Sequence, residues 1–186
     1  MIFRHFLLAV NESNAFVVGC SATGEALLVD AGDFPAIIDE FLEEHGLTLG
    51  KVFITHDHFD HTGGLSAITQ RHNVEVLAGG NSAGGCRATR VRQGTTIQVG
   101  ELSGTVLETP GHTSDSVSLA FPGMVFTGDA LFAGSVGGTG SNRLAQMQIG
   151  HIRDRIFTLA PDTAIHTGHG PSSTVGIESG HNPFFV

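Results

Sequence analysis

Apolar residues along this chain fall into short runs, separated by glycine, proline and polar clusters. The runs Phe16 to Val18, Ala26 to Val29, Val52 to Ile54, Val74 to Leu77, Thr96 to Val99, Thr105 to Leu107, Val117 to Ala120, Met124 to Phe126 and Thr163 to Ile165 predict strands. The opening segment, MIFRHFLLAV, is broken by Arg4 and His5 and reads as one more strand, not as a signal peptide or a membrane span. No other apolar run approaches the roughly 20 residues a spanning helix needs.

Helical spacing interrupts the strands at three places. From Pro35 to His45, Ile37, Ile38, Phe41 and Leu42 recur three and four residues apart, with proline in the first turn and Gly46 after the last. A second helix is predicted from Gly64 to His72, around Leu65 and Ile68. The longest runs from Asn142 to Leu159, with Leu144, Met147, Ile152, Ile156 and Phe157 as its apolar stripe and Gly150 as a weak point. Interleaved strands and helices define a mixed α/β chain. With no linker or low-complexity block, residues 1–186 are expected to form one domain, burying about two-thirds of the surface of the unfolded chain.

Charge narrows the partners. Nine basic residues face eighteen acidic ones, a formal charge of −9, which disfavours a nucleic-acid backbone as ligand. Three of the nine, Arg87, Arg90 and Arg92, share the stretch CRATRVR, a solvated surface by default that could also receive an anionic substrate. Cys20 and Cys86 lie far apart and outside any CxxC arrangement, so no disulfide framework is expected and a reducing, cytoplasmic setting fits best.

The chemistry collects after the strands. In THDHFDH, Thr55 to His61, the donors are His56, His58, Asp60 and His61. An extended His-x-His pair puts both imidazoles on one side of the backbone, where they can pinch one cation. Asp60 and His61 follow along the loop and can face a second. Further donors come from His112 in TPGHT, Asp129 in FTGDA and His169 in HTGHGP, each following an apolar run and set against glycine. His56, His58 and His112 would hold one metal, Asp60, His61 and His169 another, and Asp129 would bridge them beside a shared water. This donor set suits two divalent ions, zinc first, with iron and manganese also compatible. Asp30, in VDAG, is expected either to orient the ligand loops or to cap its own turn. His5, His45, His72, His151 and His166 have no comparable setting and are assigned no ligand role; His181 is left open.

These motifs resemble the metallo-β-lactamase fold superfamily, marked by THxHxDH followed by separated His, Asp and His. The resemblance covers nearly the whole chain. It implies an αββα sandwich of two mostly antiparallel sheets with outer helices and the metals at one edge. Within that superfamily, GDALFAGSVG and the closing GHGPSSTVGIESGHNPFF are similar to the glyoxalase II-type hydrolases, which cleave hydroxyacylglutathione thioesters. The resemblance implies a small-molecule acyl thioester as substrate, attack by a metal-bridging hydroxide, and Asp60 and Asp129 as catalytic carboxylates. The sequence also departs from that type. Gly138 stands where a basic residue helps hold glutathione, and up to Val186 there is no counterpart of the family's carboxy-terminal helical region.

Other branches of the superfamily rank lower. Persulfide dioxygenases resemble glyoxalase II but use a single iron held by two histidines and an aspartate, and form the principal alternative. The commonest zinc lactamases would carry cysteine at Asp129, and the flavin-partnered di-iron oxidoreductases glutamate at His58.

Overall fold

The computed structural model describes all residues from Met1 to Val186. In chain order its elements are β1 (Ile2–Leu7), β2 (Asn14–Gly19), β3 (Glu25–Val29), α1 (Ala36–Glu44), β4 (Thr48–Ile54), α2 (Phe59–Thr62), α3 (Leu65–Arg71), β5 (Glu75–Ala78), β6 (Ser82–Ala83), β7 (Cys86–Arg87) and β8 (Thr89–Arg90). They continue as β9 (Thr96–Val99), β10 (Leu102–Glu108), β11 (Val117–Phe121), β12 (Met124–Gly128), β13 (Leu131–Phe132), β14 (Ser135–Val136), α4 (Asn142–His151), β15 (Ala164–Thr167), β16 (Ser173–Thr174) and α5 (Val175–His181).

Two six-stranded sheets carry the architecture, in the orders β1-β2-β3-β4-β5-β8 and β16-β15-β12-β11-β10-β9. The first is antiparallel from β1 to β3 and parallel from β3 to β8; the second is antiparallel except where β12 meets β15. Alternation along each strand sorts side chains into three apolar layers. On β2, Phe16 and Val18 face the second sheet, while Ala15 and Val17 face outward toward α1 and α3; on β4, Phe53 points inward and Val52 and Ile54 outward. Beyond the second sheet, Val125 and Ile165 pack with Ile152, Ile156 and Val175. Helix, sheet, sheet and helix are therefore stacked as the family resemblance implied. No helix is long and apolar enough to cross a membrane.

Strand direction decides where the chemistry lands. Because β3, β4 and β5 are mutually parallel, their carboxyl ends share one edge. In the second sheet β10, β12 and β15 run the same way, since β11 opposes both β10 and β12 while β15 parallels β12. The segments after β3, β4, β10, β12 and β15 carry Asp30, the THDHFDH motif, His112, Asp129 and His169 respectively.

Three expectations need correction. Asp60 and His61 lie on the short helix α2, not on a loop, so the helical turn separates their directions from those of His56 and His58. The helix expected from Asn142 to Leu159 is regular only to His151 and widens to a π-turn over Ile152–Ile156, just after the weak point Gly150. Met147 is exposed, and its neighbour Gln148 is fully buried instead, its Nε2 donating to the carbonyls of Ala130 and Gly137 at 3.0 Å each. Those carbonyls flank the β13–β14 hairpin, one on each side, and they need a buried donor where a methionine offers none.

Candidate metal centre

The seven donors anticipated from the sequence meet at one place. His58 Nδ1 lies 3.1 Å from His56 Nε2 and 3.1 Å from His112 Nε2, so three imidazoles converge on a point. Opposite them, His61 Nε2 and His169 Nε2 are 3.3 Å apart, and His169 Nε2 is 3.4 Å from Asp60 Oδ2. Asp129 stands between the groups: its Oδ2 is 3.6 Å from His112 Nε2 and 3.6 Å from His169 Nε2, and its Oδ1 is 3.5 Å from His61 Nε2. His56, His58 and His112 form one set with metal-ligand spacing, Asp60, His61 and His169 a second, and His56, His61 and Asp129 a third that overlaps both.

Outward-facing ring nitrogens are tied to oxygen, which aims the inner ones. His61 Nδ1 donates to Asp30 Oδ2 at 3.0 Å, and His112 Nδ1 donates to the Gly138 carbonyl at 2.7 Å. His56 Nδ1 is 3.1 Å from Thr55 Oγ1, whose hydroxyl donates to Asp30 Oδ2 at 2.8 Å. Such partners set both tautomer and ring angle in metal-binding histidines. Of the two roles open to Asp30, the structure selects orientation: its carboxylate also accepts from the Thr55 amide at 2.8 Å.

The amino-terminal hairpin closes the far side, a contact the sequence reading missed. Asn14 Nδ2 donates to the carbonyls of Thr167 and Gly170, both at 2.9 Å, and the Asn14 amide donates to Gly168. Ser13 bridges His169, and Asn11 Nδ2 donates to Asp60 Oδ2 at 3.1 Å. The only signal in the sequence is an asparagine opening an apolar strand, which does not reveal its distant partners. Close packing completes the cage: a Cβ on Gly168 would come within 2.1 Å of Asp129 Oδ1.

Burial and neighbouring charge shift the donors in opposite directions. Burial, reinforced by the surrounding histidines, holds His56 far below the usual imidazole range, so it presents a free lone pair. Burial also works against a charged His61, but the Asp30 carboxylate overcomes it and lifts that histidine to about 9. Asp129 is pushed up by burial, against the pull of His61 and the other histidines. In Asp60, burial is outweighed by the Asn11 hydrogen bond and the neighbouring histidines, so its carboxyl is held below the usual range. Asp129 Oδ1 is buried and has no hydrogen-bond partner. A buried carboxylate oxygen that faces imidazole nitrogens and accepts no hydrogen bond is free to act as a metal donor, and divalent metal ions fit this set.

His5, His45, His72 and His166 instead serve structure, paired with Asn14, the Phe41 carbonyl, Asp39 and Ser172. His181 ends α5 as an exposed residue, outside the donor cluster.

A sandwich with its donors gathered at the carboxyl ends of both sheets defines a class of metal-dependent proteins, and the comparisons agree. The family model described as the metallo-beta-lactamase superfamily matches residues 8–84. A hydroxyacylglutathione hydrolase of Chromohalobacter salexigens is 32% identical over 87% of this chain and 63% of its own length. The crystal structure of ETHE1 from Myxococcus xanthus superposes with a TM-score of 0.88 at 33% identity, covering 98% of this chain and 84% of that one. BLEG-1, a B3 metallo-beta-lactamase, superposes with a TM-score of 0.86 at 26% identity over the full length of both chains. The chain belongs to the metallo-beta-lactamase superfamily. It spans between half and two-thirds of the length of the hydroxyacylglutathione hydrolases it matches.

Proposed function

We propose that the chain is a dinuclear metal-dependent hydrolase that cleaves an acyl thioester such as a hydroxyacylglutathione. In this reading residues 1–186 form one catalytic domain working in a reducing, cytoplasmic setting. His56, His58 and His112 hold one cation, Asp60, His61 and His169 hold the other, and Asp129 is shared. The carrying observation is Asp129, whose Oδ1 faces His61 while Oδ2 faces both His112 and His169. A divalent pair bound there, zinc first, would supply Lewis acidity that lowers the pKa of water and offsets negative charge on a carbonyl oxygen. The protein's own groups then divide the work. Asp60, braced by Asn11, accepts a hydrogen bond from the attacking water and orients it toward the carbonyl. A thiolate leaves without strong general-acid help, because its conjugate thiol is acidic enough. Likeness to the named hydroxyacylglutathione hydrolases supports the choice of substrate class.

The test is metal analysis of the purified protein, followed by turnover of S-lactoylglutathione beside an acyl-coenzyme A and a nitrocefin-like lactam. The expected result is two metal equivalents per chain and preference for the glutathione thioester. His58→Ala and Asp129→Ala each lower turnover by about 10²-fold or more; near-parental rates in folded, metal-loaded variants overturn the assignment.

One observation favours a second reading. His56, His112 and Asp129 form a two-histidine, one-carboxylate set, the arrangement of mononuclear iron oxygenases. Likeness to the Myxococcus xanthus ETHE1 structure over 84% of that chain also supports it. Oxygen uptake with glutathione persulfide, accompanied by a single iron per chain, would select this persulfide dioxygenase-like activity.

A further inference from the structure

Gly138 offers only its backbone where a basic substrate contact was expected, and its carbonyl is taken by His112. Four arginines could supply the missing charge, and the structure separates them. Arg87 and Arg92 are exposed on the surface, and Arg143 is exposed on the first turn of α4. Arg90 is exposed as well, but it alone of the four lines a cleft of about 190 Å³ at the seam between the two sheets, together with Glu108, Pro110, Ser114 and Asp115.

This cleft adjoins the metal centre. Asp115 Oδ2 accepts from the amide of Asp57, the residue between His56 and His58, at 3.1 Å. Ser114 is two residues from His112, a span of at most about 7 Å. The walls approach closely at Gly79, where a Cβ would sit 2.0 Å from the Asp115 carbonyl.

Its charges are unspent. Arg90 and Glu108 make no side-chain hydrogen bond and no ion pair within 4.0 Å, and Asp115 uses one oxygen only, on the Asp57 amide. A cation and two carboxylates facing one small cavity without pairing are complementary to a ligand that carries both signs. The cavity lies below the range of about 300–1,000 Å³ typical of whole drug-sized ligands, and so suits one head group.

We propose that this cleft binds an α-amino-acid zwitterion, its carboxylate on the Arg90 fork and its ammonium between Glu108 and Asp115, and that the group is the γ-glutamyl end of a glutathione-type carrier. The assignment to a carrier rests on the thioester reading above. In a γ-glutamyl group the α-amino and α-carboxylate groups are both free, so that end of the carrier is itself a zwitterion of the kind the cleft complements. Planar guanidinium suits a carboxylate through two parallel hydrogen bonds, which lysine cannot reproduce.

The experiment is calorimetric titration of the metal-loaded protein with S-methylglutathione, which carries no thioester and reports binding apart from turnover. A second probe replaces the γ-glutamyl group by glutaryl, removing only the ammonium. Arg90→Ala is expected to weaken S-methylglutathione about tenfold or more, Glu108→Gln to weaken it less, and the glutaryl probe to bind the parent protein more weakly. Arg90→Lys restores part of the loss, and Arg87→Ala, outside the cleft, leaves affinity unchanged. Equal affinity of the parent, Arg90→Ala and Glu108→Gln proteins, or no binding of S-methylglutathione by the parent, overturns the proposal. Arg90-dependent binding by a protein that hydrolyses no thioester keeps the cleft and overturns the hydrolase reading.

Discussion

Asp30 holds a left-handed backbone, with φ at 57°, which a residue other than glycine adopts at a cost. The turn aims its buried carboxylate at three donors, the Thr55 amide, the Thr55 hydroxyl and His61 Nδ1. One carboxylate thus positions His61 directly and His56 through Thr55. Asp30→Ala is expected to lower zinc affinity by about 10–100-fold, measured by competition with a chromophoric chelator, while the variant still folds; an unchanged affinity would refute the positioning role. At this scale the members of the histidine and aspartate cluster are legible, because His, Asp and Gly recur in fixed order after apolar runs. Asn14 and Asn11 were not, because what matters about them is contact with segments far along the chain.

Helix α4 shows how a single element can be placed correctly and oriented imperfectly. Its start and the buried Ile152 and Ile156 beyond its end follow from the apolar spacing, although the regular helix stops at His151, and Ser141 caps its start by accepting from the Leu144 amide. Which side faced inward was misread by one residue. Gln148, not Met147, enters the protein, and Gly111 allows it close, since a Cβ there would come within 2.3 Å of Gln148 Cβ. Gln148→Leu leaves the Ala130 and Gly137 carbonyls without their donor and is expected to cost about 1–3 kcal/mol in urea unfolding. Met147→Leu, on the exposed side, should stay within about 0.5 kcal/mol. A polar residue chosen to satisfy distant carbonyls defeats any reading of helical hydrophobicity.

The whole molecule is joined through the aromatic layer between its sheets. His166 of β15 lies against Phe3 and Phe16 of the first sheet and Phe126 of the second. Burial first, and then the nearby His5, lower its pKa from 6.5 to about 4. The folded state therefore favours neutral His166, and this contribution to stability is fully present above pH 6.5 and lost as pH falls toward 4. Thermal unfolding of the metal-free protein should show the parent losing Tm across that interval more steeply than His166→Phe. Parallel slopes would show that His166 does not couple pH to stability. The same layer explains why the two sheets present their donor-bearing ends at one edge: each sheet buries its inner face against the other, which fixes their mutual position.

Sequence alone determined the local facts: which runs are strands, which residue types can hold metal, and the order in which they come. These follow from backbone periodicity and side-chain chemistry, which act over a few residues. Tertiary structure decided the rest, namely the strand order, the convergence of seven donors, the buried face of α4, and the one arginine of four that lines a cleft beside the metal loop. Those outcomes depend on packing between segments separated along the chain, by 18 residues from Gln148 to Ala130 and by 153 and 156 from Asn14 to Thr167 and Gly170. Contacts of that kind are set by the complementarity of whole surfaces, and no short stretch of chain encodes them by itself.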